Sequence, residues 1–149
     1  MRLLGIVLAF VVATGTARAD DKALKPYAGR IVISPDEPPT VASELPAYLK
    51  ANATKDNAYD VIKGPPWPFQ LVAVLAKDPG DKPVQLVFAD KTDKKLAPFH
   101  TVELSATRRL VIAKAEATTA AGFASNKTYV VRVMLGKTVL AKAEVTLRD

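Results

Sequence analysis

The chain of 149 residues contains one histidine and no cysteine, which narrows the chemistry that it can perform. His100 could act as a general base only with a nucleophile and an orienting carboxylate beside it. The sequence has neither the G-x-S-x-G motif nor the H-E-x-x-H motif that would mark such partners. The lack of cysteine excludes thiol catalysis. We therefore predict no catalytic residue and do not expect an enzyme.

Metal ligands and cofactor motifs are equally scarce. With one histidine and no cysteine, a metal ion would have to be held mainly by carboxylates. Asp78, Asp81, Asp90 and Asp93 occur in ordinary turn sequences, and their spacing differs from that of an EF-hand loop. The sequence therefore predicts no metal site and no cofactor.

Two aromatic residues, Trp67 and Phe69, are candidates for binding a ligand. Trp67 lies in Gly64-Pro65-Pro66-Trp67-Pro68, a stiff segment in which each residue before a proline is held out of the helical region. Such a segment can present a ring to a glycan or to a proline-rich partner. A single tryptophan beside a core strand more often buries its ring, because an aromatic side chain buries a large area. Burial is favoured, and exposure is the alternative.

Basic residues near two turns form the second binding candidate. Arg108 and Arg109, together with Lys91, Lys94 and Lys95, could form a patch for an acidic partner or a lipopolysaccharide surface. Charges in turns usually serve only to keep the surface hydrated. The patch is therefore a weak prediction, made from charge alone.

The first nineteen residues have the features of a secretory signal peptide. One early arginine precedes an apolar run at 3–12, and small residues end in Ala17-Arg18-Ala19, which predicts cleavage before Asp20. The apolar run is well short of the about 20 residues that span a bilayer. We therefore expect no transmembrane segment after cleavage, a periplasmic or secreted location, and one domain over residues 20–149.

The remaining charge is modest. The whole chain has a formal charge of +6, and two of its 21 basic residues lie in residues 1–19. Nucleic-acid-binding proteins concentrate lysine and arginine on one face with aromatic residues between them. The charges of this chain are scattered along polar faces and turns. We predict no nucleic-acid partner.

Short strands are the elements that must position these residues. Apolar and polar residues alternate in runs of strand length that are separated by turn sequences rich in proline, glycine and aspartate. One helix is predicted at 43–52, where Leu45, Tyr48 and Leu49 share a face. The run at 69–77 is apolar on both faces, which predicts a central strand. The apolar face of 109–118 switches near Lys114, which predicts a bulge or a change of partner. The predicted strands before the last quarter of the chain are 27–34, 59–63, 69–77, 83–90, 100–105 and 109–118.

The last quarter, residues 128–147, predicts a β-hairpin with one buried face. Two alternating apolar runs meet at Gly136. Because opposite residues of an antiparallel pair share a face, keeping the apolar sets together fixes the register. This register predicts a three-residue loop at 136–138, whereas a two-residue Gly136-Lys137 turn would need a bulge. The predicted opposite pairs are Val131 with Ala143, Val133 with Ala141, and Leu135 with Val139.

The approach to this hairpin has a recognisable pattern. Phe123 precedes Tyr129 by six residues, and the strand Tyr129-Val130-Val131-Arg132-Val133 follows. This pattern resembles the tyrosine corner and the following strand of fibronectin type III and other immunoglobulin-like domains. The resemblance implies that the Tyr129 hydroxyl bonds back to the chain and that Phe123 is an apolar plug. The immunoglobulin cysteine pair is absent, and Trp67 is the available match to a core tryptophan.

About seven main strands and this corner predict an all-β, immunoglobulin-like antiparallel sandwich with a helical insertion. The predicted function is an exported, non-catalytic binding or structural module whose partner is another protein or an envelope glycan. A small periplasmic enzyme or enzyme inhibitor, and a glycan-binding adhesion domain, are the alternatives. A cleft gathering His100 with a carboxylate and a hydroxyl favours the enzyme, and an exposed Trp67 favours adhesion. A flat apolar patch or an unprotected strand edge favours protein binding.

Overall fold

The fold is described by a computed structural model that covers residues 7–9 and 21–149, with the backbone alone for 7–9 and 21. Within this part of the chain there are nine strands and two short α-helices. The helices are α1 (Asp21–Leu24) and α2 (Leu45–Asn52). The strands are β1 (Val7–Ala9), β2 (Arg30–Ser34), β3 (Ala58–Val61), β4 (Trp67–Val74), β5 (Val84–Asp90), β6 (His100–Leu104), β7 (Leu110–Ala117), β8 (Lys127–Leu135) and β9 (Thr138–Leu147).

The strands form two layers. One layer has the order β1-β7-β4-β2, and the other has the order β9-β8-β5-β6. Neighbouring strands within each layer are antiparallel. The layers join where β2 meets β9 at one parallel pair, Arg30 with Lys142, and β3 also pairs in parallel with β9. This arrangement of seven main strands confirms the predicted immunoglobulin-like sandwich.

The core lies between the two layers and extends under the insertion. Strand β4 lies between β2 and β7, and Leu71, Val72 and Ala73 are all buried, so both of its faces are covered as predicted. Helix α2 confirms the helix predicted at 43–52. It packs against β2 and buries Leu45 and Leu49, the apolar pair four residues apart that the sequence placed on one face.

The hairpin of β8 and β9 confirms part of the predicted register. Val131 pairs with Ala143 and Val133 pairs with Ala141, and all four residues are buried. Beyond Val133 the register shifts by one residue. The predicted pairing of Leu135 with Val139 and the three-residue loop are therefore wrong.

A bulge in β9 explains the shift. Leu135 pairs with Thr138 and Met134 with Val139, which leaves a two-residue turn at Gly136-Lys137. Such short turns match the twist of the strands that they join, and the left-handed φ of 61° at Gly136 suits a glycine. The extra residue is Leu140, which is 1% exposed, whereas Val139 is 40% exposed.

Strand β7 has no bulge, and the bulge or change of partner predicted near Lys114 is wrong. β7 pairs with β4 in one unbroken register from Leu110 opposite Val74 to Ala117 opposite Trp67. Leu110 and Ile112 lie on the face opposite to the core alanines, yet both are buried. The pattern in the sequence therefore reflects a strand covered on both faces at its start.

The predicted signal peptide lies mostly outside the described residues, which lack 1–6 and 10–20. Its described part, β1, pairs antiparallel with β7 and places Leu8 opposite Lys114. In the described segments, no helix is long and apolar enough to cross a membrane.

Candidate functional site

His100 begins β6 at the side of the sandwich where β6 approaches β7. Its ring lies 5.8 Å from the ring of Phe88 and 5.7 Å from that of Phe123, measured between centroids. The crevice that these residues share with Glu116 has a volume of about 10 Å³, which is room for about one water molecule. Burial lowers the pKa of His100. The ring contacts and the small volume therefore describe a packed crevice. Within residues 21–149 no ion pair joins His100 to a carboxylate.

The tyrosine corner has the geometry that the resemblance implies. The Tyr129 hydroxyl accepts a hydrogen bond from the Ala124 backbone N–H at 2.8 Å. The rings of Phe123 and Tyr129 lie 5.1 Å apart, edge to face, and both side chains are buried. Burial also raises the pKa of Tyr129. Phe123 and Tyr129 are therefore structural residues, and Phe123 fills the space between the layers near His100.

Trp67 is a core residue. Its side chain is 0% exposed, and its indole N–H donates to the Arg148 carbonyl at 2.8 Å. Gly64 packs so tightly on the indole that an added Cβ would lie 2.2 Å from two ring atoms. Phe69 is buried as well. The hypothesis that Trp67 and Phe69 present their rings to a ligand is wrong, because both side chains are buried. The glycan-adhesion alternative required an exposed Trp67 and is therefore not supported.

The predicted basic patch is divided between two places. Lys94 and Lys95 lie in the loop that leads into β6, and Arg108 and Arg109 lie in the turn that leaves it. The five residues of β6 separate these ends by about 15 Å. Lys91 is paired with Glu144 at 2.9 Å. A single basic patch is not supported, because β6 carries the chain from one pair of basic residues to the other.

A groove with a volume of about 770 Å³ lies on the outer face of β8 and β9. Val130, Arg132, Lys142 and Glu144 line it. Its polar groups are largely bonded within the chain: an Arg132 Nη2 proton, for example, is donated to the Leu96 carbonyl at 2.7 Å. This groove could not be predicted from the sequence, because Leu96 comes from a distant loop.

Two buried atoms at the groove lack a hydrogen-bond partner within the described ranges. They are Asn57 Oδ1 and Arg132 Nε. Solvent does not reach either atom, so a ligand lying in the groove would not reach them without a local rearrangement. The groove therefore offers a mixed surface without a converging set of free polar groups.

The edge of β7 is the remaining candidate, and its hydrogen-bond direction can be read from two contacts. The Leu75 N–H donates to the Arg109 carbonyl at 2.7 Å. Because hydrogen-bonded pairs recur at every second residue, odd-numbered residues of β7 bond to β4 and even-numbered residues point away. Leu110 agrees, since its N–H and carbonyl bond to Thr107 at 3.0 and 2.9 Å. The backbone groups of Ile112, Lys114 and Glu116 therefore face the side that β1 approaches.

The edge of β7 is covered by β1 in the structure and carries Lys114, but it lacks other protective features. Protective features of edge strands include a covering segment, lysine, proline, bulges, short length and charges that point inward. β7 has eight residues, contains no proline and pairs with β4 without a bulge. Its charged residues, Lys114 and Glu116, lie on the face away from the core alanines. In the structure β1 covers this edge opposite residues 113–115.

The direction of the outward groups can be derived for β6 as well. The Lys91 N–H donates to the Thr128 carbonyl at 3.0 Å, so odd-numbered residues of β5 bond to β8. Even-numbered residues of β5 then bond to β6, in the pairs that begin with Val84 and Leu104. Thr101 and Glu103 therefore carry the outward groups of β6.

Comparison with known proteins adds little to this geometry. No protein-family model and no curated protein sequence matches the chain. The fold is immunoglobulin-like. A solved structure of an immunoglobulin-like protein from Pseudomonas aeruginosa is similar, with 15% identity over 99% of this chain and 95% of that chain, and a TM-score of 0.39. The strand order and the tyrosine corner identify the fold independently of the similarity to that structure.

Proposed function

We propose that the chain is an exported, non-catalytic binding module that holds an extended segment of a partner chain against the edge of β7. The observation that carries this proposal is the long, proline-free edge of β7, on which β1 already lies as an added antiparallel strand. Ile112, Lys114 and Glu116 direct their backbone groups away from β4, and an added strand would satisfy them. Export to the periplasm or the outside of the cell follows from the signal features of residues 1–19.

The pairing of β1 with β7 supports the choice of edge. Val7–Ala9 lie antiparallel to residues 113–115, so an extended apolar strand fits there without displacing β4. The same three residues belong to the predicted signal peptide. Cleavage before Asp20 would remove β1 and leave the edge free for a partner in the processed chain, which lacks residues 1–19.

A matched pair of proline variants tests this function. Lys114→Pro removes an outward N–H from β7, and Glu103→Pro removes an outward N–H from β6, the strand proposed not to bind. Proline is tolerated on edge strands where its missing N–H faces solvent. Each processed variant is used to capture partners from the native envelope, while cell fractionation locates the wild-type chain.

The expected result is that Lys114→Pro loses a partner that wild type and Glu103→Pro both retain. Fractionation should find the processed chain outside the cytoplasm. Equal capture by all three proteins would contradict binding at β7. Retention of the chain in the cytoplasm would contradict export.

A further inference from the structure

We infer that the partner strand is β7 of a second copy of the chain, paired antiparallel about a twofold axis through Ala115. This inference depends on the proposed function, because β1 must leave the edge first.

Symmetry limits the possible registers. In an antiparallel pair of identical strands, the twofold axis passes either through a residue or between two residues. An axis between two residues would place each core-facing alanine opposite an outward-facing residue, which turns one sheet face over. The axis must therefore pass through a residue of β7, so that the two core faces continue into each other.

Charge then selects among the residues near the centre of the edge. An axis through Lys114 would place this lysine opposite its own copy, and like charges directly opposite each other are destabilising. An axis through Ala113 would place Lys114 opposite Ile112. An axis through Ala115 places Lys114 opposite Glu116 of the second copy, and the same pair occurs twice.

The backbone agrees with the same register. Lys114 and Glu116 both direct their N–H and carbonyl groups outward, so each of the two symmetric pairs forms two hydrogen bonds. The ladder ends at Thr118, because its carbonyl already accepts from Ala121 and Phe123, both at 3.2 Å. The interface between the two β7 strands would therefore have four backbone hydrogen bonds and two pairs of opposite charge.

Lys114 is available for this contact. Its ammonium group lies 3.8 Å from a Glu37 carboxylate oxygen, and the two side chains are 44% and 77% exposed. Exposed ion pairs at this distance contribute little, so the lysine can turn to a new partner at small cost. The resulting sheet would have the order β2-β4-β7 followed by the same three strands of the second copy in reverse.

Sedimentation equilibrium of the exported chain tests the inference, with intact mass to verify removal of residues 1–19 and circular dichroism to verify folding. Three variants carry the test: Lys114→Glu, Glu116→Lys and the double exchange of both. Glu103→Lys on β6 is the control. The wild type should dimerise, each single variant should weaken dimerisation about tenfold or more, and the double exchange should restore it.

The outcomes separate the inference from the proposed function. A processed chain that remains monomeric at all concentrations would overturn the second-copy inference while leaving a different partner strand possible at β7. A dimer that ignores the single variants, or that the double exchange fails to restore, would also overturn it. An unprocessed chain, seen by its mass, would contradict the export proposal and the inference together.

Discussion

Strands β6 and β7 differ in length and in what holds them, and β1 covers the outer edge of β7. β6 has five residues, and its start is packed against rings: Phe99 lies 5.0 Å from Phe123, and His100 lies 5.7 Å from the same ring. β7 has eight residues and faces the core with small side chains such as Ala113 and Ala115. A short, ring-anchored strand is a poor template, and a long, flat strand is a good one.

The ability to accept a further strand therefore differs between these two strands of the same fold. Both strands end their layers once β1 is set aside, yet only β7 combines length, flatness and outward charge. The aromatic cluster around Phe123 closes the side of the sandwich next to β6.

Removal of the aromatic plug should have the largest effect. Phe123→Ala removes a buried ring that contacts Phe88, Phe99 and Tyr129, and truncations of this kind cost about 3–5 kcal/mol. Denaturant unfolding measures the loss. Val139→Ala, at a 40% exposed valine, is the control and should change the free energy of unfolding by less than about 0.5 kcal/mol. A small loss for Phe123→Ala would remove the anchoring role of the ring cluster.

Proline at two adjacent positions of β7 should separate its inner and outer hydrogen bonds. Ala115→Pro removes an N–H that bonds to β4 opposite Phe69, and we expect a cost of about 3 kcal/mol. Lys114→Pro removes an outward N–H and should cost about 1 kcal/mol or less in the processed chain. Thermal unfolding of both variants measures the difference. Equal losses would mean that the assigned hydrogen-bond direction is wrong.

The corner hydrogen bond should have a smaller effect. Tyr129→Phe leaves the Ala124 N–H without its acceptor but keeps the ring packing against Phe123. An unsatisfied buried donor costs about 1–3 kcal/mol, so the free energy of unfolding should fall by about that amount. Tyr48→Phe is a matched control, because the Tyr48 hydroxyl bonds to the Asp36 carbonyl in an exposed position. The same loss in both variants would contradict the special role of the corner.

The pH dependence at His100 should be the smallest effect. Burial lowers the pKa of His100 below its ordinary value of 6.5, so the folded chain binds the proton less readily than the unfolded chain. Stability should therefore be fully present above about pH 6.5 and should decline as the pH falls below it. His100→Gln should remove this decline. A wild-type stability that rises below pH 6.5 would contradict the burial of the ring beside β6.

A second pH effect is separable from that of His100. Hydrogen bonds from Lys127 and then Thr92 lower the pKa of Asp90 to about 2. The contribution of Asp90 to the stability of the fold is therefore fully present at a pH above 3.8, its ordinary pKa. That contribution is lost as the pH falls from 3.8 toward 2. The two windows do not overlap, so unfolding measured between pH 5 and 7 reports on His100.

Much of the fold could be predicted from local patterns in the sequence. The alternation at Val131 and Val133 fixed one face of β8, and the spacing of Leu45 and Leu49 fixed the helix, because each pattern depends only on neighbours in the chain. The corner was visible because Phe123 and Tyr129 are only six residues apart. All of these features confirm predictions that needed no knowledge of strand order.

Contacts between distant segments explain most of what could not be predicted. The bulge at Leu140 depends on burial and on its carbonyl, which accepts the Ala76 N–H at 2.8 Å from another strand end. Leu110 and Ile112 are likewise buried by residues outside β7. The sequence pattern of a strand with both faces buried was therefore interpreted as a bulge. The position of β7 beside β1, at the end of its layer, follows from strand order, which the alternation pattern does not contain.

Residue-resolved amide hydrogen exchange of the processed chain over a range of concentrations tests the open edge most directly. In dilute solution, the amides of Lys114 and Glu116 should exchange much faster than those of Ala113 and Ala115. The exchange of the Lys114 and Glu116 amides should slow as the protein concentration rises. Equal protection of all four amides at every dilution would mean that the edge is already covered. Fast exchange at Ala113 and Ala115 would mean that the pairing with β4 is not as described.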